Sequence, residues 1–115
     1  MKLIEVATFT DDVVAMTDFY RALLGREPVA GSADMAIFMA GETKIFIHRA
    51  YTPGPDELPA ENHIAFAVAD VDAACAALAA AGARVEAGPA DYYWGRSAYL
   101  RDPAGRLIEL TGDES

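Results

Sequence analysis

The chain predicts an α+β fold built from two similar halves, and three observations carry that expectation. First, Ile4-Glu5-Val6-Ala7-Thr8-Phe9-Thr10-Asp11-Asp12 is echoed by Asn62-His63-Ile64-Ala65-Phe66-Ala67-Val68-Ala69-Asp70. Glu5 aligns with His63 (63 − 5 = 58) and Asp12 with Asp70 (70 − 12 = 58), so both ends of the motif share one offset. Second, each copy runs into one helix-like segment and then into further short β-like pieces. Third, residues 51–59 hold three prolines and a glycine, which continue neither a helix nor a central strand. The expected layout is one domain over 1–115, with a first module at about 1–50, a linker at 51–61 and a second module at about 62–112.

Residues 3–10 alternate as a strand, with Glu5 and Ala7 on one face. Asp12 is a suitable N-cap, because its carboxylate accepts from the free amides of a first turn. Val13, Met16, Phe19, Tyr20, Leu23 and Leu24 then recur at helical spacing and read as core, with Gly25 closing the helix. Gly31-Ser32 and Gly41-Glu42 read as turns around a strand at 35–39. A strand at 44–49 places Ile45 and Ile47 on one face and Phe46 and His48 on the other.

After the linker, residues 63–68 alternate again, with His63, Ala65 and Ala67 opposite Ile64, Phe66 and Val68. Asp70 caps a second helix carrying Val71, Ala74, Cys75, Leu78 and Ala81, ended by Gly82. A strand at 84–87, an aromatic loop at 91–96 and a strand at 97–101 come next. Asp102-Pro103-Ala104-Gly105 is a turn signal, residues 106–111 are the last strand, and the tail from Gly112 is expected to fray. Each half thus has one amphipathic helix to cover one face of its sheet. The small residues Ala7, Ala65 and Ala67 on the other face predict that it lines a cavity.

Composition narrows the function classes. The chain has 115 residues, is 53% hydrophobic, and carries a formal charge of −9. No basic run offsets that charge, which argues against a nucleic-acid partner and against an anionic membrane surface. The single cysteine, Cys75, excludes an internal disulfide and reads as a buried inert thiol. With no long apolar run, the expected location is cytoplasmic.

Four ionisable residues share the cavity-side register of their strands: Glu5, His48, His63 and Glu109. Two imidazoles and two carboxylates suit a divalent ion such as Zn²⁺, Ni²⁺, Co²⁺, Mn²⁺ or Fe²⁺. The metal-free alternative is a histidine hydrogen-bonded at the edge of a sheet. In that case Glu109, flanked by Ile108 and Leu110, needs a partner such as Arg101 or Arg49. Tyr92, Tyr93 and Trp94 offer flat surfaces for a planar ligand or for subunit packing, and Arg96 either clamps an anionic group or pairs with a carboxylate.

Asn62-His63-Ile64-Ala65-Phe66-Ala67-Val68, followed by Asp70-Val71-Asp72-Ala73-Ala74, resembles the second-module opening of the vicinal oxygen chelate superfamily. That group comprises glyoxalase I, bleomycin-resistance and fosfomycin-resistance proteins, and extradiol dioxygenases. Trp94-Gly95-Arg96 with Tyr99-Leu100-Arg101-Asp102-Pro103-Ala104-Gly105-Arg106-Leu107-Ile108-Glu109-Leu110 resembles its closing signature, and Asp18-Phe19-Tyr20-Arg21-Ala22-Leu23-Leu24-Gly25 its first helix.

The resemblance implies two βαβββ modules forming a cup-shaped, barrel-like mixed sheet with helices outside, completed in a homodimer. It also implies metal ligands at Glu5, His48, His63 and Glu109. His63 and Glu109 match the usual residue types, whereas Glu5 and His48 exchange them within the first module. The implied function is a metal-dependent lyase, isomerase or dioxygenase chelating two adjacent oxygens of a small oxygen-rich substrate, with Glu109 or Glu5 as general base. The alternative, also implied, is a metal-free protein that sequesters an aromatic or cationic compound.

Overall fold

Strand, helix and three strands follow one another in each half. The structure is a computed structural model and describes residues 1–112; the expectation for the remaining tail lies outside the described residues. The first half comprises β1 (Lys2–Thr10), α1 (Val13–Leu24), β2 (Ala30–Gly31), β3 (Met35–Ala40) and β4 (Thr43–Arg49). The second comprises β5 (His63–Val68), α2 (Val71–Ala80), β6 (Arg84–Tyr92), β7 (Gly95–Arg101) and β8 (Leu107–Gly112). The fold is α+β, with the expected βαβββ sequence twice. The chain packs as two compact units, Glu5–Asn62 and the segment from His63 onward together with Met1–Ile4.

The halves share a strand order. In the first, β1 lies parallel to β4, β4 antiparallel to β3, and β3 antiparallel to the short β2. In the second, β5 lies parallel to β8, β8 antiparallel to β7, and β7 antiparallel to β6. A parallel pair needs a long crossover, and here the helix and the intervening strands supply it.

Both helices start as the sequence predicts. Asp12 Oδ1 accepts from the Ala15 amide at 3.0 Å, and Asp70 Oδ1 from the Ala73 amide at 3.0 Å. Gly25 closes α1 in the left-handed region at φ 65°, its amide donating to the Arg21 carbonyl at 2.9 Å. The second helix stops slightly early. Its C-cap is Ala81, and Gly82 lies in the turn beyond.

Each helix covers one face of its own sheet. Val13, Ala36, Phe38 and Ile47 form the first core, with Met16, Tyr20, Leu24 and Ile45 packed against it. Val68, Val71, Cys75, Ala98, Leu100 and Leu110 form the second. Phe19 and Leu23, expected in the core, are 58% and 63% exposed. Each helical residue advances by about 100°, so these two sit one step to the side of the inward line through Val13, Met16, Tyr20 and Leu24. The alanines expected to line a cavity, Ala7, Ala65 and Ala67, are buried instead.

The second half also departs from expectation around β6. The strand expected at 84–87 runs on to Tyr92 through Gly88 and Pro89, with register shifts between Val85 and Ala87 and between Ala87 and Ala90. Within its own sheet β6 is an edge, where a proline is tolerated. A Cβ at Gly88, whose φ is 74°, would stand 2.6 Å from the Ser97 carbonyl oxygen, so only glycine fits there. The expected aromatic loop is a tight hairpin. Tyr92 pairs with Gly95, leaving only Tyr93 and Trp94 in the turn.

Candidate functional site

Strand alternation builds a polar cluster in the second half. Phe66, Val68, Ala98, Leu100 and Leu110 belong to the core against α2. Their alternates His63, Ala65, Ser97, Tyr99 and Glu109 therefore point to the opposite face. The parallel ladder sets Ala65 beside Glu109 and His63 beside Leu107. The antiparallel ladder sets Tyr99 opposite Glu109 and Ser97 opposite Thr111.

His63 Nε2 lies 3.4 Å from Glu109 Oε1, with side chains only 10% and 7% exposed. The other carboxylate oxygen, Oε2, accepts from Ser97 Oγ at 3.1 Å. Ser97 Oγ in turn accepts from Trp94 Nε1 at 2.9 Å. Trp94 stacks on Tyr92 at 4.7 Å between ring centroids, tilted by 3°. Tyr92 meets Tyr99 edge-on at 6.3 Å, and Tyr99 meets the His63 ring edge-on at 6.1 Å. Burial pushes the Tyr92 phenol pKa up, and the Glu109 charge adds to the rise.

The first half presents its expected residues differently. Glu5 stands on β1 with its side chain 20% exposed and Lys44 Nζ at 3.8 Å. His48 sits among rings, with Phe9, Phe46 and Tyr51 each at 5.7 Å, and its Nδ1 lies 2.8 Å from the Arg49 carbonyl oxygen. In the parallel ladder Glu5 pairs with Lys44 and Phe9 with His48. Glu5 and His48 are thus four residues apart along paired strands, about 13 Å at ~3.3 Å per residue. That is too far for two side chains to share one ion, so the expected exchanged pair is not brought together. The first-half counterpart of Glu109, which pairs with Ala65, is Phe46, which pairs with Ala7.

Among the expected ligand-binding residues, Arg96 is engaged by carboxylates of the chain. Arg96 donates to both Asp72 oxygens at 2.6 and 2.7 Å and to Asp91 at 3.1 Å. These carboxylates raise the Arg96 pKa above its ordinary value, and the Arg96 hydrogen bonds lower that of Asp72. Tyr93 is 98% exposed and meets Trp94 at right angles. Arg101 and Arg49, the alternative partners considered for Glu109, donate to Glu86 and Asp34. Cys75 is buried, and burial raises its thiol pKa, as an inert thiol requires. A groove of about 630 Å³ lies elsewhere in this half, lined by Arg84, Arg101 and Asp102, and contains none of the expected site residues.

Sequence reasoning missed Ser97 and Tyr99. The turn at 102–105 pairs Arg101 with Leu107, which carries Tyr99 to Glu109 and Ser97 to Thr111. That register was available from the turn signal.

The matches to known proteins cover nearly the whole chain. A family model described as the Glyoxalase/Bleomycin resistance protein/Dioxygenase superfamily matches residues 2–110. "Putative glyoxylase CFP32" of Mycobacterium bovis is 34% identical over 97 residues, covering 80% of this chain and 36% of that protein. The protein of the same description in Mycobacterium tuberculosis matches equally. The chain therefore spans about a third of the length of these curated relatives. The Mn(II)-bound glyoxalase from Novosphingobium aromaticivorans is 30% identical at a TM-score of 0.73, covering 97% of this chain and 38% of that one. Streptomyces coelicolor methylmalonyl-CoA epimerase in complex with 2-nitronate-propionyl-CoA shares the fold, at 24% identity, a TM-score of 0.65, and coverage of 100% and 99%.

Proposed function

The chain belongs to the Glyoxalase/Bleomycin resistance protein/Dioxygenase superfamily, and from that premise we propose that it is a glyoxalase-like, divalent-metal-dependent lyase or isomerase. Its substrate would be a small oxygen-rich molecule presenting two adjacent oxygens. The observation that carries this reading is the buried His63–Glu109 pair, 3.4 Å between Nε2 and Oε1. Charge-assisted N–H···O contacts are shorter, about 2.7–2.9 Å. Two ligands each ~2.1 Å from one ion lie about 3.0–3.4 Å apart, so the spacing suits a shared ion. Nitrogen and carboxylate oxygen suit Mn²⁺, Fe²⁺, Co²⁺, Ni²⁺ or Zn²⁺, and the Mn(II)-bound glyoxalase is a relative of this kind.

Glu5 would be the third ligand. Glu5 supplies a carboxylate, a donor type such an ion takes, and is a ligand position that the family resemblance implies. His48 stands outside the proposed set, because β4 carries it away from Glu5. The ion, when bound, would polarise the substrate oxygens and offset the negative charge developing on them. Glu109 or Glu5 would take the substrate proton. Ser97 holds one oxygen of Glu109, and burial of the pair excludes water from the transfer. We also propose a homodimer and a cytoplasmic location. Among the described residues no helix is long and apolar enough to cross a membrane.

Metal analysis of protein purified without chelator, beside His63→Ala, tests the reading. The expected result is about one ion per chain in the wild type and loss of it in the variant. Metal well below that level in the wild type, after incubation with Zn²⁺, Mn²⁺, Ni²⁺ and Fe²⁺, overturns it.

A second reading rests on the hairpin tip, where Tyr93 is 98% and Trp94 38% exposed. With a formal charge of −9, these rings suit a planar cation held without metal. Quenching of Trp94 fluorescence by a panel of planar cations is expected on that reading, and absence of quenching across the panel removes it.

A further inference from the structure

We propose that Ser97, held by Trp94, is a positioning residue that commits one oxygen of Glu109 and leaves the other to face His63. Its functional meaning rests on the reading of Glu109 as a metal ligand.

The donors and acceptors present fix the direction of the chain of hydrogen bonds. An indole N–H only donates, so the 2.9 Å contact makes Ser97 Oγ the acceptor. Ser97 then has a single proton to place, and Glu109 Oε2 stands 3.1 Å away to receive it. The Ser97 side chain has no exposure, so no bulk water competes for that proton. Oε2 is therefore committed, and Oε1 is the oxygen set beside His63 Nε2.

Three features hold Ser97 and Trp94 in place. Ser97 stands diagonal to Glu109 across the β7–β8 ladder, on the same face. On its other side β6 approaches so closely that only a glycine fits at Gly88 against the Ser97 carbonyl. Trp94 is fixed by its stack on Tyr92. Tyr92 also meets Tyr99, and Tyr99 meets His63. One hairpin thus reaches both donors of the pair, Glu109 through hydrogen bonds and His63 through ring edges. Trp94 is the partly exposed end of this chain and Glu109 the buried end.

Trp94 is the only tryptophan, so its indole N–H gives one resonance that reports the chain. The experiment compares ¹H–¹⁵N spectra of metal-free wild type, Glu109→Gln, Ser97→Ala and the double variant, followed by Zn²⁺ calorimetry on each and on Trp94→Phe. Glu109→Gln is expected to move the indole resonance when Ser97 is present and to leave it nearly unmoved in the Ser97→Ala background. Zn²⁺ affinity is expected to fall by about 10–100-fold in Ser97→Ala, with a smaller fall in Trp94→Phe, as for outer partners of metal ligands. A resonance shift of equal size in both backgrounds overturns the proposal, as does wild-type Zn²⁺ affinity in Ser97→Ala. If the wild type takes no Zn²⁺ while the spectral dependence on Ser97 holds, the positioning of Glu109 stands and the metal reading falls.

Discussion

The two halves repeat a backbone but not a chemistry. In the first, Glu5 pairs with Lys44 and Ala7 with Phe46; in the second, His63 pairs with Leu107 and Ala65 with Glu109. The register is the same, with the leading residue two ladder positions before an alanine. At the position next to that alanine, however, one half places a phenyl ring and the other a buried carboxylate. The difference shows that hydrogen-bond register and helix caps suffice to repeat the fold. The donor set depends on single side chains that the sheet tolerates freely. It also puts the polar weight of the candidate site in the second half, where Glu109, His63 and Ser97 meet.

The largest expected effects break the cores rather than the site. Phe38 is fully buried in the first core and Leu100 2% exposed in the second. Phe38→Ala is expected to cost about 3–5 kcal/mol and Leu100→Ala about 2–5 kcal/mol in urea unfolding. If the repeated architecture means equally built cores, both fall in these ranges. A cost below ~1 kcal/mol at either would show that its half is loosely packed. As a control on the outward side of α1, exposed Phe19→Ala is expected within about 0.5 kcal/mol of wild type.

Next comes the chemical asymmetry itself. Glu109→Ala should weaken Zn²⁺ binding by on the order of 100-fold or more, at or beyond the upper end of what outer-shell losses cost. His48→Ala should leave the metal stoichiometry unchanged in calorimetry, because β4 carries His48 about four residues beyond the position of Glu5. Its expected cost is in stability, about 0.5–1.5 kcal/mol for lost ring contacts with Phe9, Phe46 and Tyr51. A His48→Ala protein that loses its metal while keeping its melting temperature would restore a donor role to the first half.

The fold was largely legible because it depends on local signals. Asp12, Asp70 and Gly25 cap helices by groups within a few residues of them, and period-two alternation assigns strand faces. Alternation, however, gives a face and not a position along it. Glu5 and His48 share a face, yet the ladder sets them four residues apart, and only the pairing register shows that. Ser97 was missed for the opposite reason, because a serine carries no signal until β7 and β8 are paired through the 102–105 turn. The hairpin at Tyr93 and Trp94 was read as a longer loop because the strand expected at 84–87 continues to Tyr92 through a bulged edge that alternation does not reveal. The Arg96 partners were half legible. The acidic excess pointed to a carboxylate, but only the structure identifies Asp72 and Asp91.

The smallest expected effect concerns the surface of the second half. The Arg96 guanidinium donates to both Asp72 oxygens and holds that carboxyl below its usual range. Arg84 and Arg101 do the same to Glu86. A carboxyl whose pKa is lowered in the folded state binds its proton more readily unfolded. Its stabilising contribution is therefore complete above the unfolded value, near 3.8 for Asp72, and is lost as pH falls through the lower folded value. Both Asp72 and Arg96 are well exposed, so the contribution is small and screened by salt. Melting temperatures measured from pH 6 to about pH 2 should therefore drop on the acid side, and Asp72→Asn should make that drop slightly shallower at low ionic strength. The difference between the two curves should shrink in about 1 M salt. An acid limb that Asp72→Asn leaves unchanged, or that steepens, would show that the pair contributes nothing to the second half and would leave Glu86 as the group to test there.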